Sequence, residues 1–447
     1  MGSRRCEHLE LRRGGVALPR REVAMVGAVG PDFDLRGGIN LHGISRLKRS
    51  KFPESWGFVI GGESHRVTHM LSLKSWAWVL VLALPTLHAE QLTVLLGTFS
   101  RGSSEGIYAV QLDTENGDLS EASLVAELTD PGFLVRHPRL PVVYAVLREK
   151  GASGTQVGGI VAYAVDWNTG ELTELNRRLT KGGAFAHLAV DPAGRRVIAA
   201  SYGGGHITAW LLDEDGRLGA GGELLKQTGA LGPNAKRQDG PHPHSVTVSP
   251  DGRFAWVADL GLDRVFAYDL SGEAPSPRRS GRGDAVTHPG AGPRHTKFSP
   301  DGKSFYVLNE LDASVTLFRY NAAAGTMEEG QHLSMLPSDY DGAVSASEIR
   351  THPNGRFVYA AHRGDSTIVI FSRDPSSGQL TRQGAVPTGG KTPRNFALSP
   401  DGAWLIAANQ NSDTLTTFKV DAETGALIPT GKSTAVPHAV CVVFEPR

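Results

Sequence analysis

One four-residue turn, repeated along the chain, limits what this sequence can fold into more than any other feature. Ser249-Pro250-Asp251-Gly252 separates an alternating, β-branched run, Ser245–Val248, from an apolar run, Arg253–Ala258. Proline presets φ at the first central position, and glycine accepts the positive φ that closes the turn. A polar loop, Asp259–Asp263, leads to a third run, Arg264–Leu270. One such three-strand unit cannot bury both faces of its sheet and needs copies beside it. The copies begin at Asp191-Pro192-Ala193-Gly194, Ser299-Pro300-Asp301-Gly302, His352-Pro353-Asn354-Gly355 and Ser399-Pro400-Asp401-Gly402, with a degenerate one at His137-Pro138. From Pro138 to Pro400 the turn prolines are spaced by 54, 58, 50, 53 and 47 residues.

A period near 50 with three or four short strands per repeat predicts an all-β chain, a β-propeller. Gly170-Glu171-Leu172, Gly216-Arg217-Leu218, Gly378-Gln379-Leu380 and Gly425-Ala426-Leu427 each open a further strand, which makes four-stranded blades. Six full repeats run from Phe133 to about Gly431. The two ends supply a seventh. Ala439–Phe444 reads as an innermost strand with nothing after it. Leu92–Leu128 reads as the other three, with Thr93–Phe99 first. Pairing the N- and C-terminal strands closes the ring and removes the open edges that invite aggregation.

Charge is informative only when divided. The 447 residues hold 46 basic and 46 acidic side chains, and 13 of the basic and 7 of the acidic ones fall in the first 89. Residues 90–447 are therefore net acidic by six, which gives no electrostatic basis for nucleic-acid binding. Residues 1–69 show no periodicity and match no repeat. Met70 then opens a segment with one lysine, the apolar run Trp76–Leu84, Pro85 and Leu87-His88-Ala89. This has the layout of a secretory signal peptide, and the run is too short for a transmembrane helix. We therefore expect residues 1–69 to lie upstream of the true start, residues 70–89 to be the signal peptide, and residues 90–447 to form the propeller. The expected location is periplasmic or secreted, with no membrane attachment after cleavage, as a monomer. Cys441 is the only cysteine after residue 89, so the propeller has no intramolecular disulfide and no cysteine-based metal site.

The innermost strands of a propeller line its central channel, so residues at their leading ends ring one mouth. Those positions read Ala186-His187, Pro243-His244, Pro293-Arg294-His295, Glu348-Ile349-Arg350, Pro393-Arg394-Asn395 and Pro437-His438. Loops after the second strands add Tyr202, Asp259, Asn309-Glu310, His362-Arg363 and Asn409-Gln410. Polar strand ends are ordinary, and any one histidine here has a plain structural explanation. The recurrence of Arg and His in several repeats, with the chemistry varying from blade to blade, suits a site for an asymmetric ligand. The insertions Gly222–Asp239 and Ser271–Ala291 read as outer strands plus long loops bordering such a mouth. Ser201–His206 (SYGGGH) lacks nucleotide-fingerprint spacing and reads as a tight loop between strands.

Asp239-Gly240-Pro241-His242-Pro243-His244-Ser245, Gly292-Pro293-Arg294-His295, Asn309-Glu310 and Pro393-Arg394-Asn395-Phe396 resemble motifs of the seven-bladed propeller lactonases. That family includes the bacterial cycloisomerase-type 6-phosphogluconolactonases and the fungal 3-carboxy-cis,cis-muconate lactonizing enzymes. The resemblance spans roughly Leu92 to Pro446. It implies catalytic roles for His244, Arg294, Glu310 and Arg394, with no metal and no organic cofactor. The signal peptide departs from the family pattern, because 6-phosphogluconolactone arises in the cytoplasm. We add His242, His295, Glu348, Arg350, Asn395 and His438 as candidate substrate-binding residues. The expected function is hydrolysis of a sugar-acid lactone, with His244 as base and His242 as its nearest competitor. The other readings are a non-catalytic exported binding propeller and a muconate-type cyclase.

Overall fold

A computed structural model describes residues 91–150 and 156–446. The expected extension and signal peptide lie outside the described residues. Every regular element among the described residues is a β-strand, and no helix among them is long and apolar enough to cross a membrane. The strands form seven sheets, each an antiparallel meander around one channel. Blade one comprises Leu134–Arg136, Val142–Lys150, Gln156–Val165 and Leu172–Thr180, innermost first. Blades two to six begin with the innermost strands His187–Val190, Pro243–Val248, Pro293–Phe298, Ala346–Thr351 and Pro393–Leu398. Neighbouring innermost strands touch in this cyclic order.

Blade seven is shared between the ends of the chain. Ala439–Phe444 is its innermost strand and pairs antiparallel with Gln91–Thr98, Val94 facing Phe444 and Leu96 facing Val442. Gly106–Asp113 and Ser123–Glu127 complete it. The expected closure is the observed one. The outer edges of blades two and three are divided: Leu218–Gly221 and Leu225–Lys226 in blade two, and in blade three Ser271–Ala291 gives two short pieces, Arg278–Arg279 and Ala285–Val286.

The repeated residues account for both the turns and the joints between blades. In Ser249-Pro250-Asp251-Gly252 the serine Oγ accepts the Phe254 amide at 3.0 Å, and Gly252 takes φ 71°. Ser299 and Ser399 do the same for Ser304 and Trp404. The Gly-x-Leu glycines link neighbouring blades. Tyr144, Tyr306 and Tyr359 on second strands donate their hydroxyls to the carbonyls of Gly216, Gly378 and Gly425 of the next blade, at 2.7, 2.7 and 3.0 Å. A buried tyrosine needs such a partner for its hydroxyl. The glycines supply it from φ of 84°, 75° and 74°, a conformation that side chains disfavour.

Candidate active site

Each innermost strand of blades three to six starts with a break in register, and that break places the site. Pro243 faces Asp259, but Ser245 faces Ala258, so His244 is an extra residue in the ladder. Arg294 is extra between Pro293 and His295, and Arg394 between Pro393 and Asn395. In blade five, Ser347 and Glu348 fall within the shift between Ala346 and Ile349. A bulge leaves one residue outside the alternation and turns its side chain in a new direction. In blades three, four and six the X-Pro start favours extended backbone before the bulge and removes a donor from the ladder.

His244, Arg294 and Arg394 thereby line one cavity of about 810 Å³ at a mouth of the channel. Its wall also includes His295, Asn395, Glu310, Arg363, Arg237, Arg148 and Tyr202, with Phe99, Phe133 and Phe185 on the apolar side. Among the described residues five guanidiniums face a single carboxylate, so the cavity is electropositive and suited to an anionic ligand.

Glu310 is surrounded by three of those guanidiniums. Its Oε2 accepts Arg294 Nε at 2.9 Å, and its Oε1 is 2.8 Å from Arg237 Nη2 and 2.9 Å from Arg363 Nη2. Burial alone would raise its pKa, but Arg294 and Arg363 hold it well below the usual carboxylate range. Arg294 is fully enclosed and also donates from Nη1 to the Ser347 carbonyl. Burial, with Arg363 nearby, pushes its pKa down to about 9. Arg394 differs: among the described residues no carboxylate pairs with it, and its guanidinium lies 5.0 Å from the Phe99 ring centroid. Burial, again with Arg363 nearby, pushes it down to about 10, so it remains cationic at neutral pH.

Three imidazoles stand together beneath the arginines. His295 is 5.2 Å from His244 and 5.3 Å from His187, centroid to centroid. Burial pushes all three well below the ordinary imidazole pKa, with further lowering of His244 by Arg294 and of His295 by Arg294 and Arg350. They are neutral at pH 7 and can accept protons. Among the described residues His244 Nδ1 is buried without a partner, which leaves Nε2 as the nitrogen available to a ligand. His295 Nδ1 donates to Glu348 Oε2 at 3.1 Å, so its Nε2 keeps the lone pair. Glu348 also accepts Asn395 Nδ2 and Arg350 Nη2.

Sequence comparison fits this geometry. The family model described as "Lactonase, 7-bladed beta-propeller" matches residues 93–444. The chain belongs to the seven-bladed β-propeller lactonase family. A 6-phosphogluconolactonase of Bacillus subtilis is 36% identical over 349 residues, covering 78% of this chain and 97% of the relative. One from Formosa agariphila is 31% identical, covering 69% of this chain and 86% of the relative. The solved periplasmic gluconolactonase of Pseudomonas aeruginosa superposes with a TM-score of 0.74 at 30% identity, covering 80% of this chain and 99% of that one.

Within this lactonase-family propeller the ten expected site residues divide. His244, Arg294, Glu310, Arg394, His295 and Asn395 line the cavity. Glu348 lies behind it, buried, and orients His295 and Asn395. His242 stacks on Tyr202 at 4.4 Å, outside the cavity. Its ring nitrogens face the Tyr202 carbonyl at 3.0 Å and Asp239 at 2.9 Å, so both are directed at protein oxygens and not at the cavity. Arg350 faces a second cavity at the other end of the channel. His438 sits beside Asp413 and Gly102, away from the cavity. Sequence reasoning missed Arg237, Arg148, Phe99 and Phe133. Arg237 belongs to the insertion Gly222–Asp239, and its place beside the mouth was the available signal. Arg148 lies within the second strand of blade one and Phe99 just after Gln91–Thr98 of blade seven, and nothing in their local pattern marks them.

Proposed function

We propose that this chain is a lactonase that hydrolyses the internal ester of an anionic sugar acid, of the 6-phosphogluconolactone type. The observation that carries this reading is the set of uncharged imidazoles, His244 and His295, facing a guanidinium-rich cavity in a lactonase-family propeller. His244 takes a proton from water, whose oxygen attacks the lactone carbonyl carbon. Arg394 binds the oxyanion or the anionic substituent through its planar fork. The ring C–O bond then breaks, and the leaving oxygen takes that proton from His244 to become the hydroxyl of the open acid, which returns His244 to its neutral form. Arg294 and Glu310 hold that constellation in place, since each satisfies the other's charge. Glu348 supports it from behind through His295.

The chain acts outside the cytoplasm, as a monomer. The leader-like segment 70–89 and the periplasmic relative support export, and ring closure within one chain supports the monomer. The test is turnover of 6-phosphoglucono-δ-lactone, glucono-δ-lactone and muconolactone by the mature protein, corrected for spontaneous hydrolysis. Enzymatic opening with the phosphorylated substrate preferred is the expected result. Preference for the neutral lactone would overturn the anionic assignment, and no opening of any lactone would overturn the enzyme.

A further inference from the structure

Away from the cavity, at the outer edges of blades three and four, a second cluster gathers ligand-type side chains. His288, Asp312 and His332 each offer one donor atom, and the three atoms lie within 4.8 Å of one another. They come from three separate segments. His288 follows the short strand Ala285–Val286, Asp312 lies in the turn between Ser304–Asn309 and Ser314–Asn321, and His332 is on the outer strand Thr326–Ser334. Ala285–Val286 touches Thr326–Ser334, which carries His288 onto His332, and the two rings are 4.2 Å apart.

Each ligand-bearing segment is held in place by its own hydrogen bonds. The amides of Thr287 and Gly290, on either side of His288, donate to Asp263 at 3.1 and 2.7 Å. Asp312 Oδ1 accepts Ser314 Oγ at 2.8 Å, and Ser314 in turn accepts Asn309 Nδ2 at 2.8 Å. His332 is fixed in register opposite Thr316. The 2.6 Å contact between His288 Nε2 and Asp312 Oδ2 would by itself be an ordinary hydrogen bond. It does not explain a second imidazole brought against the first, where two imidazolium charges would repel.

We infer that His288, Asp312 and His332 form a site for a dication of the zinc class, which staples blade three to blade four. Two imidazoles and one carboxylate form a common zinc donor set, with bonds of about 2.0–2.2 Å, so tetrahedral donors stand about 3.3 Å apart. Small side-chain rotations bring the three atoms to that spacing. Imidazole donors disfavour magnesium and calcium, which take oxygen ligands. His288 and Asp312 are half-buried and His332 is exposed, which leaves a fourth position open to water. Asp312 is two residues from Glu310, so the bound ion braces the turn that carries the one carboxylate lining the cavity among the described residues.

The test uses untagged mature protein stripped with EDTA and titrated with zinc by calorimetry. One saturable site of micromolar affinity or tighter is expected, together with a thermal midpoint that rises with zinc concentration. Millimolar magnesium should not compete. His332→Gln, at an exposed position, should leave the midpoint of the metal-free protein unchanged and weaken zinc binding by more than about tenfold. Three results would each overturn the site: no saturable zinc binding, unchanged affinity in His332→Gln, or displacement of zinc by magnesium.

Discussion

At the scale of single residues, the bulges assign different work to chemically similar side chains. His244 and His242 are two residues apart, yet only His244 reaches the cavity. His244→Ala should lower kcat/KM by roughly 10²–10⁴-fold, the usual contribution of a positioned base. His242→Ala should remain within a few-fold of the parent. If His295→Ala shows the large loss and His244→Ala does not, the base is His295, with Glu348 behind it. The two arginines diverge in the same way. Arg394→Lys should cost most of kcat/KM for a phosphorylated lactone with little change in thermal midpoint, because the planar fork is lost while the charge stays. Arg294→Lys removes donors from a buried carboxylate and a backbone carbonyl, so its main effect should be a lower thermal midpoint. Equal activity losses in both, with equal stability, would put both guanidiniums on the substrate.

At the scale of elements, the strand Ala439–Phe444 is what turns six blades and a remnant into a ring. Five of its six residues are buried. Burying each apolar side chain contributes about 1.5–3 kcal/mol, so the strand contributes on the order of several kcal/mol. That is a large share of the roughly 5–15 kcal/mol typical of a folded domain. A chain ending at Pro437 should therefore lose its cooperative thermal transition or its solubility, since Gln91–Thr98 would become an open edge. An unchanged thermal midpoint in the truncated protein would show that the closure contributes nothing. Repeats, turns and closing strand were all legible in the sequence, because each rests on local chemistry: proline and glycine at turns, alternation in strands. The divided outer edge of blade three was not legible, since its two-residue pieces pair only because Arg264–Asp269 is already in place.

At the scale of the whole molecule, burial of titratable groups sets the pH response. His187, His244 and His295 have folded pKa values far below their unfolded value near 6.5. As pH falls below about 6.5 the unfolded chain takes up protons that the folded one does not. Each of these histidines then costs about 1.4 kcal/mol per pH unit. Asp259 acts in the opposite sense. Burial raises its pKa to about 6, so between that value and its unfolded value the folded state binds the extra proton and gains stability on acidification. One carboxyl against three imidazoles leaves a net loss, and the thermal midpoint should fall between pH 7 and pH 5. A flat or rising midpoint over that interval would contradict neutral burial of the three histidines. The acid limb of kcat/KM should also lie well below 6.5, because His244 stays unprotonated there.

By itself the sequence determined the architecture: seven four-stranded blades, closed by the chain's own ends, with histidine and arginine at the leading ends of the inner strands. Those features depend on short-range rules that each repeat restates. Only the tertiary structure decided what each polar residue touches. A shift of one residue at a strand's start exchanges the faces of a sheet, and the bulges after Pro243, Pro293 and Pro393 make that shift. So Arg294 and Arg394, in the same motif one hundred residues apart, end as a structural partner of Glu310 and an arginine with no carboxylate partner among the described residues. Arg350, from the inner strand between theirs, faces the opposite end of the channel, while Arg237 arrives from a long loop. Charge pairing in a cavity depends on which blades converge there, and a single repeat carries no record of its neighbours.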